Sequence, residues 1–143
     1  MIDNSALFLL TYGLCVIGAR EGEKSNGMIN NTLVQATSAP LRLAVTLNKE
    51  GLTHNMIAAT GAFSASVLCE GADFALFRHF GFRSGRDCEK FDGTYAHAAD
   101  ARGLPYLTET ACARFGCKVA KAVDLGTHTL FVADVLEAEK RLS

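Results

Sequence analysis

At 143 residues the chain has room for one domain, 1–143, with a core that needs neither disulfides nor a metal staple. Its 14 Lys and Arg against 15 Asp and Glu leave a net charge of −1, so no broad basic field supports nucleic-acid binding. An apolar share of 49% with 20% charged residues excludes a disordered tail and points to some apolar surface in a subunit interface.

The N-terminal run Ala6–Ala19 is nearly all apolar, yet it is about five residues short of a membrane-spanning helix. It follows Asp3 rather than a basic segment, and no convincing cleavage site follows it. A buried strand over Thr11–Ala19, entered from a short helical turn, is the expectation, in a soluble cytoplasmic protein with no membrane partner. Arg20–Lys24 is the polar turn of a hairpin, and Met28–Thr37 returns as the second strand. Leu41, Leu43, Val45 and Leu47 alternate with Arg42, Ala44, Thr46 and Asn48, a period of two with one apolar face. Thr53 is placed to cap a helix that Gly61 ends. Phe63–Cys69 is a further strand.

Ala72–Phe80 then reads as a helix closed by Gly81. A polar loop over Phe82–Gly93 follows, and Tyr95–Gly103 is expected to be helical until Pro105 halts it. Ala111–Val123 and Thr127–Leu136 make a long hairpin around Asp124-Leu125-Gly126, and Glu137–Ser143 looks like a cut edge. Many strands with two short helices predict a mainly β fold, a small barrel rather than βαβ units.

The five cysteines, Cys15, Cys69, Cys88, Cys112 and Cys117, contain no CxxC pair, so no structural zinc or rubredoxin-type iron site is built within the chain. Reduced thiols are expected, with Cys69 packed at a strand end and Cys88, in the polar loop, the most reactive.

Two constellations could carry chemistry. Asn48 and Lys49 end a strand, and Thr53 and His54 open the next helix, whose free N–H groups and positive dipole end favour a phosphate. A capped helix with a solvated lysine would look the same in sequence. On the strand before, Gly27 permits close backbone approach. Asn26, Asn30, Asn31, Thr32 and Gln35 offer donors and acceptors beside the apolar Met28 and Ile29, which suits a planar, amide-rich ring; the same amides also suit bulges and turns. The loop Arg78–Asp87, which holds Ser84, Gly85 and Arg86, is a second candidate whose arginines Arg78, Arg83 and Arg86 could receive phosphates, though a solvated loop would look the same; His128 stands on the last hairpin. No GxGxxG, GxSxG, HExxH or Walker pattern is present, so a Rossmann site, a hydrolase elbow and a zincin site are absent from the sequence.

Taken together, Ser25-Asn26-Gly27-Met28-Ile29, Gln35–Pro40, Asn48-Lys49, Thr53-His54, Phe63–Leu68, Phe80-Gly81, Ser84–Asp87, Lys90-Phe91 and Gly126-Thr127-His128 resemble the flavin-reductase-like FMN-binding split-barrel family. The branch most resembled is the FMN domain that occurs with rubredoxin-like modules in high-molecular-weight rubredoxin and flavoredoxin-type proteins. The resemblance implies a homodimeric split barrel that holds FMN non-covalently and takes hydride from NAD(P)H. Electrons would pass to a rubredoxin-like protein, free flavin or ferric iron. The alternative is an FMN-containing electron carrier reduced by a partner protein and not by NAD(P)H. The resemblance further implies that Asn26, Gly27, Met28–Thr32 and Gln35 surround the ring and ribityl chain, and that Asn48, Lys49, Thr53 and His54 hold the phosphate. Ser84–Arg86 would close over it, and His128 would face the nicotinamide side. No catalytic side chain beyond the flavin is implied, and no metal. Relatives continue past Glu139, so an excised domain or a short member is expected, and Pro40-Leu41 stands where many relatives have Pro-Pro.

Overall fold

The computed structural model describes residues 1–141. Among the described residues nine strands are present: β1 (Cys15–Glu21), β2 (Lys24–Asn30), β3 (Val34–Ser38), β4 (Leu41–Asn48), β5 (Ala62–Leu68), β6 (His97–Ala99), β7 (Pro105–Leu107), β8 (Ala111–Asp124) and β9 (His128–Lys140). Two helices, α1 (Leu52–Thr60) and α2 (Phe74–Gly81), are inserted among them. Seven strands form one antiparallel sheet in the order β2-β1-β5-β8-β9-β4-β3, and β6 and β7 pair separately. The sheet's two edges, β2 and β3, are neighbours in sequence and do not pair with each other. The barrel is therefore split along that seam.

Alternation places the core. On β1, Cys15, Ile17 and Ala19 face the barrel interior with Leu43, Val45 and Leu47 of β4, Met56 and Ile57 of α1, and Phe63 and Phe131. Val16 faces the other way, into a second core with Leu76 and Phe80 of α2, Phe91 and Leu107. Gly18 is required where that second layer crosses β1: a Cβ there would lie 2.5 Å from Ser64 Oγ and 2.6 Å from the Pro105 carbonyl.

Several boundaries differ from the sequence reading. A 3-10 helix over Asn4–Leu9, capped by the Asp3 carboxylate, precedes β1, which starts at Cys15 and not at Thr11. The expected strand Met28–Thr37 is two strands, because Asn30 Oδ1 accepts the Thr32 N–H at 2.7 Å and turns the chain. Thr53 is not the cap of α1. Asn48 makes a turn, its Oδ1 accepting from Glu50 N–H, and Gly51 becomes the N-cap. α2 begins two residues later than expected because Asp73 caps it, accepting from Leu76 N–H at 2.9 Å, and Gly81 lies in its last turn. The stretch read as helical before Pro105 is the β6–β7 hairpin, turned by Asp100, whose Oδ1 accepts from Arg102 and Leu104 N–H. Residues 137–140 continue β9 against β8 beyond the Leu136 at which the sequence reading ended that strand; residues 142–143 lie outside the described residues. Among the described residues no helix is long and apolar enough to cross a membrane.

Candidate functional site

The seam side of the sheet carries two clefts. The first, about 370 Å³, is bordered by Met28, Ile29 and Asn30 of β2, by Asn31 and Thr32 of the link to β3, by Thr46 and Asn48 of β4, and by His128 at the start of β9, with Tyr12 and Leu14 along one side. The second, about 290 Å³, lies between Asn26 and Met28 of β2, the start of α1 at Gly51–Thr53, and the segment Gly81–Arg86, with Lys90 behind it. Met28 borders both. Period-two alternation puts Asn26, Met28 and Asn30 on one face of β2, so a single strand face runs through the two clefts.

The first cleft is rimmed by amides and hydroxyls held from the chain's own turns. Asn30 Nδ2 donates to the Thr46 carbonyl at 3.2 Å, and Thr32 Oγ1 donates to the same carbonyl at 2.9 Å. Those bonds stitch β2 to β4 across the seam. His128 pairs in register with Asn48, and its Nδ1 lies 2.7 Å from Thr127 Oγ1.

The second cleft is cationic. Arg83, Arg86 and Lys90 border it, and none of its described lining residues is a carboxylate. The first turn of α1 opens onto it without a side-chain cap, leaving peptide N–H groups and the positive dipole end available. Lys90 is only 5% exposed, and its Nζ donates to the Gly27 and Phe80 carbonyls at 2.9 and 2.7 Å. Burial holds its pKa below the ordinary lysine value. Asn26 Nδ2 donates to Thr53 Oγ1 at 2.9 Å, whereas its buried Oδ1 has no donor among the described residues. Gly85 sits directly on this amide: a Cβ there would lie 2.1 Å from Asn26 Oδ1. With the Asn55 amide turned so that its nitrogen faces His54 Nδ1, its oxygen accepts from Arg86, tying the Ser84–Arg86 loop to α1.

Residues 7–142 match the flavin reductase like domain. The chain belongs to that family. High molecular weight rubredoxin of Moorella thermoacetica is 41% identical over 137 residues, which cover 96% of this chain and 59% of that protein. Ferric-chelate reductase (NAD(P)H) of Archaeoglobus fulgidus is 40% identical over 138 residues, covering 96% of this chain and 81% of that one. The chain thus spans less than two thirds of the Moorella protein. Among solved structures, an FMN-binding protein from Thermus thermophilus superposes with a TM-score of 0.83 at 25% identity, over 94% of this chain and 74% of that one. The mainly β split-barrel class expected from the sequence is the fold observed.

In this flavin-reductase-like chain the structure gathers Asn26, Met28, Thr53, Ser84, Gly85 and Arg86 at one cleft, and Ile29, Asn30, Asn31, Thr32, Asn48 and His128 at the other. Four candidates lie elsewhere. Gly27 turns its Cβ position toward the Phe91 ring, 2.9 Å away, so its close approach is to the second core. Gln35 is exposed on β3 and donates to the Thr37 carbonyl. Lys49 Nζ reaches Asp124 Oδ1 at 2.6 Å on the β8–β9 hairpin, an ion pair that holds the Asp124 carboxyl below its usual range. His54 is buried and faces the barrel: Nε2 meets Thr129 Oγ1 at 2.8 Å, and the ring packs 5.4 Å from Phe131. Arg83, an arginine of the second candidate loop, does line the cationic cleft, whereas Tyr12, Leu14, Thr46 and Lys90 are lining residues that were missed. Of these, Lys90 follows the Arg78–Asp87 loop closely in the chain, and that adjacency was the available signal.

Proposed function

We propose that the chain binds FMN non-covalently along the β2 face, ring in the first cleft and phosphate in the second, and that it reduces the flavin with NAD(P)H. The observation that carries this is the continuity of two chemically different clefts at Met28, one rimmed by amides and hydroxyls, the other by three cations and a helix start. The residues fit such a group: among the described residues Asn26 Oδ1 is a buried acceptor without a donor, and no carboxylate lines the cleft that would take the phosphate. Arg83, Arg86 and the α1 N–H groups would hold the phosphate. Asn30, Asn31 and Thr32 would orient the ring's polar edge, and His128 would border the nicotinamide side. Bound flavin supplies hydride acceptance and one-electron release; the protein's part is orientation, hydrogen bonding and exclusion of water. No side chain has to act as a strong acid or base.

The similarity to a ferric-chelate reductase (NAD(P)H) and to a high molecular weight rubredoxin supports NAD(P)H as reductant, and ferric chelate or a rubredoxin module as the electron destination. Free flavin is the third acceptor. A homodimer covering the apolar N-terminal segment belongs to the same reading. The test is anaerobic spectroscopy: FMN-loaded protein should be yellow and bleach on mixing with NADH or NADPH. Steady-state NAD(P)H oxidation with rubredoxin, free FMN and ferric chelate then ranks the acceptors. Protein that takes up no FMN overturns the proposal. Flavin that is reduced only by a protein partner makes the chain an electron carrier instead.

A further inference from the structure

Strands β5 and β8 run antiparallel to Val67↔Ala113 and then slip, Leu68 pairing with Ala111, so Cys112 is the extra residue of a β-bulge. The ladder goes one step further, with Cys69 N–H donating to the Thr110 carbonyl at 2.9 Å. Cys112 lies two positions beyond Thr110, at the bulge where alternation is interrupted, so its contacts and not its spacing place its side chain. Its thiol lies 3.5 Å from the Val67 carbonyl, to which it donates, and 3.9 Å from that of Leu68, which draws it across β5. Leu68 directly precedes Cys69, so the Cys112 thiol stands beside the stretch of backbone that carries Cys69. Both are half-buried and reduced, and neither belongs to the two cores.

We propose that Cys69 and Cys112 form a dithiol that closes reversibly to an intrachain disulfide. Closure forms one S–S bond, breaks two S–H bonds and delivers two protons and two electrons to an oxidant such as a diazene or a small disulfide; a thiol reductant reverses it. The bond joins the ends of a loop of about forty residues. That loop contains α2, the Ser84–Arg86 segment and the β6–β7 hairpin, hence one wall of the cationic cleft. Cys69 also lines a hollow with Tyr12 and Leu14, the pair that borders the first cleft. The thiol state therefore sets how freely this wall can open. The Cys69 pKa is raised, by burial first and by its neighbour Cys112 second, so closure should quicken as pH rises.

The experiment uses the full chain. Reduced protein is treated with diazenedicarboxamide at pH 8, unfolded, blocked with N-ethylmaleimide and cut with trypsin. The expected product links fragment Glu50–Arg78, which contains Cys69, to Gly103–Arg114, which contains Cys112, while Cys15, Cys88 and Cys117 carry the blocking group. Cys69→Ser and Cys112→Ser should each abolish the link, and oxidation should raise Tm in wild type but in neither variant. Both cysteines blocked after oxidation, a link that uses Cys88 instead, or bonds found only between chains on a non-reducing gel would overturn the proposal.

Discussion

Replacing Gly85 with alanine tests the joint between the loop and β2. The new methyl carbon would sit 2.1 Å from Asn26 Oδ1, 2.4 Å from Cγ and 2.7 Å from Nδ2. Ordinary carbon–oxygen contact is near 3.3 Å, so roughly 1 Å of overlap must be relieved. Asn26 is only 2% exposed, with backbone on β2 paired to Ala19 of β1, so its side chain must turn or the loop must lift. Turning breaks the Nδ2–Thr53 hydrogen bond and strands a buried donor, which costs about 1–3 kcal/mol. Lifting the loop moves Arg86 away from α1 and opens the cationic cleft. At about 3 °C per kcal/mol for a domain of this size, apo-protein Tm should fall by roughly 3–9 °C. FMN affinity, measured by calorimetric titration, should fall about 5- to 150-fold over the same energy range. Asn26→Gly in the Gly85→Ala background removes the clash, so the double variant should lose less stability than the two single changes added. A Gly85→Ala protein with wild-type Tm and wild-type FMN affinity would refute the packing argument.

Arg86→Ala should weaken FMN about tenfold and riboflavin less than twofold, because only FMN carries the phosphate charge; equal losses would place Arg86 outside the anion site. Lys90 has a folded-state pKa below 10.5, so its charged form is disfavoured in the fold, and that cost is fully present at neutral pH. It is relieved as pH rises from the lowered value toward 10.5, so wild-type stability relative to Lys90→Met should climb over that window in denaturant titrations, and a flat difference would refute the assignment. Light scattering should give about twice the 15.3 kDa chain mass, since Leu7, Phe8, Leu9, Leu10 and Tyr12 are all exposed in one chain. A monomer with full flavin occupancy would contradict the dimer.

What could be read from the sequence was whatever depends on local periodicity. Leu43, Val45 and Leu47 are buried on one face as their alternation requires, and the hairpin at Asp124–Gly126 turns where its glycine, at φ +100°, permits. The break at Asn30 was not legible. An asparagine whose side chain accepts a bond two residues on looks the same in sequence as one that continues a strand. Asn48 hid the start of α1 in the same way. Lys90 reads as a solvated lysine until the Gly27 and Phe80 carbonyls, far away in the chain, converge on it. His54 misled for a related reason. Adjacency to a helix start suggests a phosphate ligand, but the helical turn aims its ring at Phe131 and Thr129 inside the barrel.

An unclosed barrel has two strand edges to protect, and here the protection and the site share residues. β2 and β3 leave unpaired backbone groups along the seam. Asn30 and Thr32 span part of it by converging on one acceptor, the Thr46 carbonyl, while Thr32 Oγ1 in turn accepts the Thr46 N–H at 3.0 Å. These side chains also rim the first cleft. A substitution at either position therefore acts on the latch before it acts on a ligand, and loss of binding there would not by itself identify a contact. Arg86 is different: its side chain is exposed and, among the described residues, bonds only to the turned Asn55 amide, so its removal leaves both cores and the latch intact. A ligand that bridges the two clefts would couple the latch to the Ser84–Arg86 loop and favour only the folded chain, raising Tm with the logarithm of its concentration. Riboflavin, lacking the phosphate, should give a smaller rise at equal concentration, and Arg86→Ala should bring the FMN rise down to the riboflavin level.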